Sequence, residues 1–461
     1  MSVMTPSRRA RARTDPAPPR DTGLLCDAAA RAAAADDFGH IVHRTPAAVL
    51  RPESEEDIAE IVRWAGAHGA KVAAQGRRHS LWGRSQVGGD GVAVDMSTRQ
   101  AVHAVERDRV VVDAGATWGQ VLAATLPHGA TPPVLCEYLD LSVGGTLSVG
   151  GVGGTTARHG VQADNVIALR VVTGTGETLT CSPTLRSDLF RAVCAGLGQV
   201  AVIVTATLRL VRAASHVRRF LLCYADLAAM LRDARRLAAD GRFDALQGAI
   251  LPAPGGGWAF RLDVARFFTP APPDDAALLA GLADDPARRQ PATLSYIDYA
   301  DRLSALEAAL RADGRWWLPH PWLATFIGDT RVEPVVAEEL RRIDPERDLG
   351  RFGQIGLTPI RRAALSTPLL RLPAEPLSFA FTVIRFPATT ERTRTHRLVR
   401  ANAAIYDRVR RAGGTLYPAS ALPVSHVQWR DHFGPAYEEL RTAKWRHDPE
   451  GVLTPGYTLF A

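Results

Sequence analysis

The densest glycine segment of the chain, residues 144–154, reads GGTLSVGGVGG and limits what this region can form. Backbone N–H groups approach phosphate oxygens closely only where side chains do not intervene, so such runs suit nucleotide sites. The run contains no GxGxxG frame, and no lysine follows the GxxxxG spacing of Gly145 and Gly150. A plain Rossmann domain and a P-loop NTPase are therefore disfavoured. Ser148 lies in no GxSxG elbow, which weakens a hydrolase interpretation. A tight turn between two strands is the structural alternative.

Hydrophobic periodicity predicts helices and strands in a first region that ends near residue 210. The clearest helix begins at Ser54, whose hydroxyl can form a capping box with Asp57, and ends at Gly69. The other elements predicted here are strands at Lys71–Ala74, Val92–Met96, Arg109–Asp113 and Val200–Leu210, a hairpin of Val166–Thr173 with Glu177–Cys181, and helices at Trp118–Leu126 and Asp188–Ala195.

The character of the chain changes from about Val211 to Thr390. Proline-rich breaks there separate strands from two predicted helices, around Leu227–Ala239 and Asp298–Arg311. The last stretch contains one predicted helix, near His396–Ala412, and a tryptophan-rich tail.

Composition and charge disfavour several classes of protein. The net charge is +7, but five arginines and one aspartate in residues 1–20 place +4 of it in a leader that we expect to be disordered. The remainder is close to balanced, so no nucleic-acid partner is expected. No apolar run approaches the ~18 residues of a membrane span. The leader lacks the apolar core of a secretory signal, and we expect a cytoplasmic protein. Five cysteines form no CxxC pair and no His-flanked cluster, so neither a metal site nor a disulfide framework is expected.

Several further motifs follow one another along the chain. They are DDFGHIVH at residues 36–43, GRRHS at 76–80, YLDLSVGGTLSVGGVGG at 138–154, VTGTGETLTCS at 172–182, GLGQ at 196–199, PHPWL at 319–323 and LTPG at 453–456. Together they resemble the motifs of the cytokinin dehydrogenases, FAD-linked oxidases of the vanillyl-alcohol-oxidase type. The resemblance extends from about residue 30 to the end of the chain.

This resemblance implies an α+β fold in which a two-part FAD-binding domain of the PCMH type encloses an inserted substrate domain with an antiparallel sheet. The expected boundaries are residues 1–23 for the leader, 24–212 and 400–461 for the two parts of the FAD-binding domain, and 213–399 for the substrate domain. The change of character near Val211 agrees with this division.

The resemblance also implies FAD, bound covalently through His79, which stands where the family's GRGHS loop has the histidine that carries the flavin. A lone loop histidine is otherwise an ordinary surface or hydrogen-bonded residue. Gly76, Arg77 and Ser80 would contact the pyrophosphate. The other expected cofactor contacts are Arg78, Arg84, Ser142, Ser148, Val152, Ile203, Thr454 and Tyr457. Cys136 has the wrong spacing from Gly144–Gly145 for a second flavin bond, so an ordinary buried thiol is expected.

For catalysis, the family uses an aspartate before the YL pair to take a proton from the substrate amine, and here that position is Glu137. Burial beside the flavin would raise its pKa and make it a usable base; a structural glutamate bonded to nearby backbone is the alternative. Trp322 and Ala324 are the expected substrate contacts, although Trp322 could equally belong to the core.

Besides Glu137, four further departures from the family pattern cluster around the cofactor and substrate. They are Arg78 for glycine, Arg84 for glutamine, Ala324 for asparagine, and Tyr457 for the glutamine of a PGQ tail. The leading hypothesis is a cytokinin dehydrogenase-like enzyme that transfers hydride from a C–N bond of a small amine to flavin. The same machinery acting on another small amine or alcohol of a specialised pathway, and a catalytically silent flavoprotein, are the alternatives.

Overall fold

The computed structural model describes residues 23–388, 390–453 and 456–460. Of the predicted leader, only Gly23 falls within these ranges, and Thr454 falls outside them. Within the described residues, every helix is too short or too polar to reach across a lipid bilayer.

Two sheets form the N-terminal region. The first has the strand order Leu24–Leu25, Ala48–Leu50, Val92–Asp95, Val72–Gln75, and is parallel except for the first pair. The second is antiparallel, in the order Val102–Val105, Arg109–Asp113, Ala201–Arg209, Val166–Thr173, Thr178–Cys181. A short pair, Val211–Arg212 with Ala130–Thr131, lies at the end of this region. The predicted strands and hairpin are thus confirmed to within about one residue at each end.

The helices of the chain vary from one turn to more than five. The helix Glu55–His68 has the predicted capping box between Ser54 and Asp57, and it ends at Gly69 with φ 67°. The other helices are Ala28–Ala34, Trp118–Thr125, Val143–Leu147, Thr156–His159, Ser187–Val193, Leu227–Asp240, Asp275–Leu279, Tyr296–Ala300, Ser304–Ala312, Asp329–Arg342, Arg392–Arg411, His426–Phe433 and Ala436–His447.

The glycine segment is not a turn between strands. Its first part forms the short helix Val143–Leu147, and the next helix, Thr156–His159, follows the glycine loop. Close packing explains the glycines: a Cβ atom on Gly144 would lie 2.8 Å from Cβ of Ala114, and one on Gly153 would lie 2.1 Å from the carbonyl oxygen of Leu135.

An eight-stranded antiparallel sheet forms the middle of the chain. Its strand order is Gln290–Ser295, His216–Tyr224, Trp258–Phe268, Ala245–Pro252, Gln354–Arg361, Leu377–Ile384, Leu323–Gly328, Thr415–Leu416. Successive side chains of a strand point to opposite faces. In Leu377–Ile384, Phe379, Phe381 and Val383 are buried in the core, whereas Ala380 and Thr382 face a large cavity.

The helix predicted at Asp298–Arg311 is interrupted. The structure has Tyr296–Ala300 and Ser304–Ala312 instead. In a continuous helix the carbonyl of Tyr299 would accept from the N–H of residue 303. Here it accepts from Nη1 of Arg302 at 3.0 Å, and the break turns the Arg302 side chain into the cavity.

The C-terminal tail packs against the N-terminal region. The buried ammonium of Lys444 donates to the carboxylate of Asp448 and to the carbonyls of Gln199 (2.8 Å) and Leu453 (2.7 Å). Leu453 in turn forms a parallel bridge with Val72. The predicted α+β class, with an antiparallel sheet between two cooperating ends of the chain, is confirmed. The boundary at residue 400 remains a prediction, since the strand Thr415–Leu416 joins the large sheet.

Candidate functional site

One cavity of about 970 Å³ lies where the N-terminal loops, the inner face of the eight-stranded sheet and the C-terminal tail meet. Fourteen of the fifteen predicted site residues line it, and the fifteenth, Thr454, lies outside the described residues. The fourteen are Gly76, Arg77, Arg78, His79, Ser80, Arg84, Glu137, Ser142, Ser148, Val152, Ile203, Trp322, Ala324 and Tyr457. The structure therefore brings them together, while their individual roles remain predictions.

The GRRHS loop follows the strand Val72–Gln75 and packs on Ser142, just before the glycine segment. A Cβ atom on Gly76 would lie 2.0 Å from Oγ and 2.8 Å from Cβ of Ser142, so a larger residue at this position would require Ser142 to move. Arg78 adopts φ +53°, the left-handed conformation that a side chain disfavours. The glycine expected at this position would carry no such strain. Arg77 is exposed at the edge of the loop and pairs with Asp140.

His79 lies on a wall of aromatic rings. Its imidazole stacks on Phe38, with ring centroids 3.9 Å apart and planes 16° apart, and lies 4.9 Å from the ring of Tyr138. Burial, with a smaller contribution from His320, lowers the pKa of His79 to about 3, so the imidazole is neutral. Neither ring nitrogen has a hydrogen-bond partner among the described residues. Phe38, His79, Trp316 and His320 are called the imidazole wall below.

Asp37 holds the loop that carries His79. Its carboxylate accepts from Oγ of Ser80 (2.8 Å) and from the N–H groups of Gly83 (2.7 Å) and Gly39 (3.1 Å). Burial raises the pKa of Asp37 to about 7. Ser80 therefore donates its hydroxyl proton within the protein, although its side chain also lines the cavity. Sequence reasoning missed Asp37 as a site residue; its place in the DDFG motif was the available signal.

The glycine segment forms a second side of the cavity. Ser142 precedes the helix Val143–Leu147, and the hydroxyl of Ser148 donates to the carbonyl of Gly144 at 2.7 Å. Val152 and Ile203 supply apolar surface. Tyr417, which the sequence did not single out, also lines the cavity and accepts from the N–H of Gly151 at 3.3 Å.

Two of the departures from the family pattern contact each other. The Arg84 guanidinium lies 4.9 Å from the centroid of the Tyr457 ring and 5.6 Å from that of Trp429. It donates to the carbonyl of Leu422 at 2.6 Å. Arg84 is 4% exposed, and burial lowers its pKa to about 10. Among the described residues no carboxylate pairs with Arg84, and its Nε has no partner.

Glu137 lies on a charged wall. Its Oε1 is 3.5 Å from Nη2 of Arg302, which also donates to Oε1 of Gln247 at 2.9 Å. Arg219 and Asp263 form a bidentate pair nearby, at 2.8 and 2.6 Å. Burial raises the pKa of Glu137, and Arg302 opposes that rise. The side chain is 33% exposed, toward the cavity that it lines. Glu137, Arg219, Asp263 and Arg302 are called the carboxylate wall below; sequence reasoning missed the last three.

Three further predictions concern other residues that line the cavity. Cys136 is half-buried and lines the cavity, burial raises the pKa of its thiol to about 12, and its Sγ donates to Oε1 of Gln162 at 3.4 Å, so the expectation of an ordinary buried thiol stays a prediction. Trp322 donates its indole N–H to the carbonyl of Arg385 at 2.7 Å and faces the cavity with its ring. Ala324 is held by its backbone N–H, which donates to Oγ of Ser420 at 2.9 Å.

The residues of the cavity fit an FAD. Several glycines line one side and leave it without side chains, a neutral imidazole without a hydrogen-bond partner among the described residues faces the space, and a buried guanidinium has a free donor. A cavity of this kind, bordered by one face of an antiparallel sheet, is what an FAD-linked oxidoreductase requires.

The comparisons agree with that class. Residues 46–182 match the family described as "FAD binding domain", and residues 276–460 match "Cytokinin dehydrogenase 1, FAD and cytokinin binding". The chain is 38% identical over 424 residues to "Uncharacterized oxidoreductase ORF5 in fasciation locus" of Rhodococcoides fascians, covering 92% of this chain and 95% of that protein. It is 33% identical over 483 residues to "Cytokinin dehydrogenase 10" of Oryza sativa subsp. japonica, covering 93% and 86%. The chain belongs to the cytokinin dehydrogenase family and is an FAD-dependent oxidoreductase.

Proposed function

We propose that this chain oxidises a C–N bond of a cytokinin, with FAD bound covalently through His79 and Glu137 as the base. The observation that carries the proposal is that His79 and Glu137 line the same cavity, on separate walls. The names of the relatives support a cytokinin as the substrate. They favour it over another small amine or alcohol.

His79 has the properties that the attachment requires. A neutral imidazole has a nitrogen lone pair free to form a bond, and burial keeps His79 neutral at every working pH. His79 would bond to the 8α carbon of the flavin and give up its N–H proton, as that methyl group gives up one proton. Dioxygen would take up these two protons and the two electrons released, leaving as hydrogen peroxide.

Glu137 would hold the substrate amine and take its proton. Bound FAD would supply the acceptor for the hydride of the adjacent carbon. Burial makes the carboxylate more basic than a free glutamate, and Arg302 keeps a usable fraction of it ionised. Trp322 and the inner face of the large sheet, with Gln247 and Thr382, would border the substrate and exclude water.

The attachment is tested by acid precipitation. We expect purified wild-type protein to be yellow and to keep its flavin in the precipitate, and His79→Ala to release all of it. The matched control is His216→Ala, because His216 is exposed and lies outside the cavity. Flavin that remains covalently bound to His79→Ala contradicts the assignment.

The substrate is tested by anaerobic titration. We expect isopentenyladenine to bleach the flavin absorbance of the wild-type protein. If a panel of other amines or alcohols bleaches it and isopentenyladenine does not, the proposed substrate is wrong while the flavin chemistry stands.

A further inference from the structure

The imidazole of His79 does not stand alone on its wall. The ring of Phe38 lies between it and a second imidazole, that of His320, at 3.9 Å from the first and 4.0 Å from the second. The planes differ by 16° and 7°, so the three rings form one nearly parallel stack. Phe38 is 7% exposed, and Trp316 and Trp322 contact its ring at 4.9 and 5.2 Å.

Backbone hydrogen bonds fix the order of this stack. The N–H groups of Phe38 and Gly39 donate to the carbonyls of Arg78 (2.8 Å) and Ser80 (3.0 Å), the two neighbours of His79. On the other side, the N–H of His320 donates to the carbonyl of Gly39 at 2.9 Å. Residues 38–39 therefore join the flavin-attachment loop to the PHPWL segment.

His320 also fixes Phe38 through its side chain. Its Nδ1 lies 2.6 Å from the carbonyl oxygen of Phe38, and since a carbonyl only accepts, the proton is on Nδ1. His320 is fully buried, so the bond is shielded from water. Phe38 is thus held from both sides, and the orientation of the His79 ring follows from it, because no described residue hydrogen-bonds to His79.

We propose that Phe38, held by His320, is a positioning residue for covalent flavin attachment: its ring sets the plane of the His79 imidazole toward the cavity. The proposal rests on the attachment to His79 proposed above. Face-to-face packing leaves the ring nitrogens free while it removes the rotation that an unbonded imidazole would otherwise have. A hydrogen bond would orient the ring too, but it would occupy a nitrogen.

The test measures how fast bound flavin becomes acid-stable. The wild type, Phe38→Leu and Phe220→Leu are each expressed under riboflavin limitation and purified. Each protein is then incubated with FAD in air, and acid-stable and total bound flavin are measured over time. Phe220 is the matched control, because it is also buried, contacts another ring edge-on and lies outside the cavity. We expect Phe38→Leu to bind flavin but to attach it at least about 10-fold more slowly. Phe220→Leu should behave as wild type.

The outcomes separate this inference from the proposal on which it rests. Acid-stable flavin forming in Phe38→Leu at the wild-type rate overturns the positioning role alone. Acid-labile flavin in the wild type overturns the attachment itself. If Phe38→Leu yields no folded protein, His320→Leu, which keeps Phe38 but removes its outer support, is measured in the same way. A wild-type attachment rate in that variant also overturns the inference, and restored attachment in Phe38→Tyr supports it.

Discussion

The imidazole wall and the carboxylate wall each present one titratable group to the same cavity, but the two groups have different surroundings. Burial disfavours the charged form of both His79 and Glu137. Around His79 the neighbours are rings, and no described carboxylate hydrogen-bonds to it. Around Glu137 are two guanidinium groups, Arg302 and Arg219, and a second carboxylate, Asp263.

The difference matches what each group is proposed to do. A nucleophile that forms one permanent bond needs a free lone pair at every pH, which burial among aromatic rings provides. A base that works in each cycle must be ionised when substrate arrives and must be basic enough to take a proton. Opposing charges on the carboxylate wall keep that balance. Flavin retention should therefore not depend on pH, whereas flavin reduction should.

Among variants that keep the flavin attached, the largest effect should come from removing the base. In Glu137→Gln we expect flavin reduction by the true substrate to slow at least about 10-fold, the lower part of the range for general base catalysis. Acid-stable flavin should be unchanged, because the two walls act separately. Stopped-flow absorbance under anaerobic conditions measures the first quantity and acid precipitation the second.

The control for this change is Glu339→Gln, since Glu339 is buried and arginine-paired but lies outside the cavity. Reduction at the wild-type rate in Glu137→Gln would remove Glu137 from the mechanism. Loss of acid-stable flavin in the same variant would contradict the expectation that the two walls act separately.

A smaller, pH-dependent effect should follow from removing the cation of the carboxylate wall. Arg302 favours the ionised form of Glu137 and so opposes the rise in its pKa. In Arg302→Met that opposition is lost, and the pKa of Glu137 rises further. In a plot of the rate of flavin reduction against pH, the decrease on the acidic side should then move to higher pH. We expect about 3- to 10-fold slower reduction near pH 6 and recovery at alkaline pH.

Two variants sharpen this measurement. Arg302→Lys keeps the positive charge and should shift the acidic side of the pH profile less than Arg302→Met does. Arg218→Met removes a paired arginine on the same strand as Arg219 but outside the cavity, and should leave the profile unchanged. A uniform loss of rate at all pH values in Arg302→Met would show that Arg302 acts through packing rather than through its charge.

The sequence predicted those parts of the fold that local patterns encode. The capping box at Ser54 and the strand Arg109–Asp113 were located correctly because periodicity and caps depend on near neighbours. The family motifs led to fourteen residues that share one cavity. Of the four residues of the carboxylate wall, the sequence predicted only Glu137, because Arg219, Asp263 and Arg302 match no motif. These three residues come close to Glu137 only through the register of the large sheet and the helix break at residues 301–303.

Contacts between residues that are far apart in the sequence could not be predicted either. Arg84 and Tyr457 were each recognised as departures from the family pattern, but their contact joins the two ends of the chain, which no local pattern indicates. The stack of His79, Phe38 and His320 joins three separate motifs in the same way. Each motif marked where chemistry is located, and tertiary packing determined which motifs touch.

The smallest effect concerns the backbone that carries the imidazole wall. Arg78 has φ +53°, and a left-handed conformation costs a non-glycine residue about 1 kcal/mol. Glycine avoids this cost, but its larger conformational entropy in the unfolded state offsets part of the gain in stability. Arg78→Gly should therefore raise the free energy of unfolding by about 0.5 kcal/mol, measured from denaturant midpoints. Arg186, which has φ +48° and is exposed outside the cavity, supplies the control, because Arg186→Gly should give a similar gain.

Arg78→Ala separates the backbone from the charge, since it removes the guanidinium but keeps the strained φ. We expect Arg78→Ala not to be stabilised, and acid-stable flavin to persist in both Arg78 variants, because the rings rather than the charge of residue 78 hold His79 in place. Equal gains in Arg78→Ala and Arg78→Gly would assign the effect to the charge of the Arg78 side chain rather than to its backbone conformation. Loss of attachment in Arg78→Ala alone would mean that the imidazole wall depends on charge after all, and the contrast with the carboxylate wall would fail.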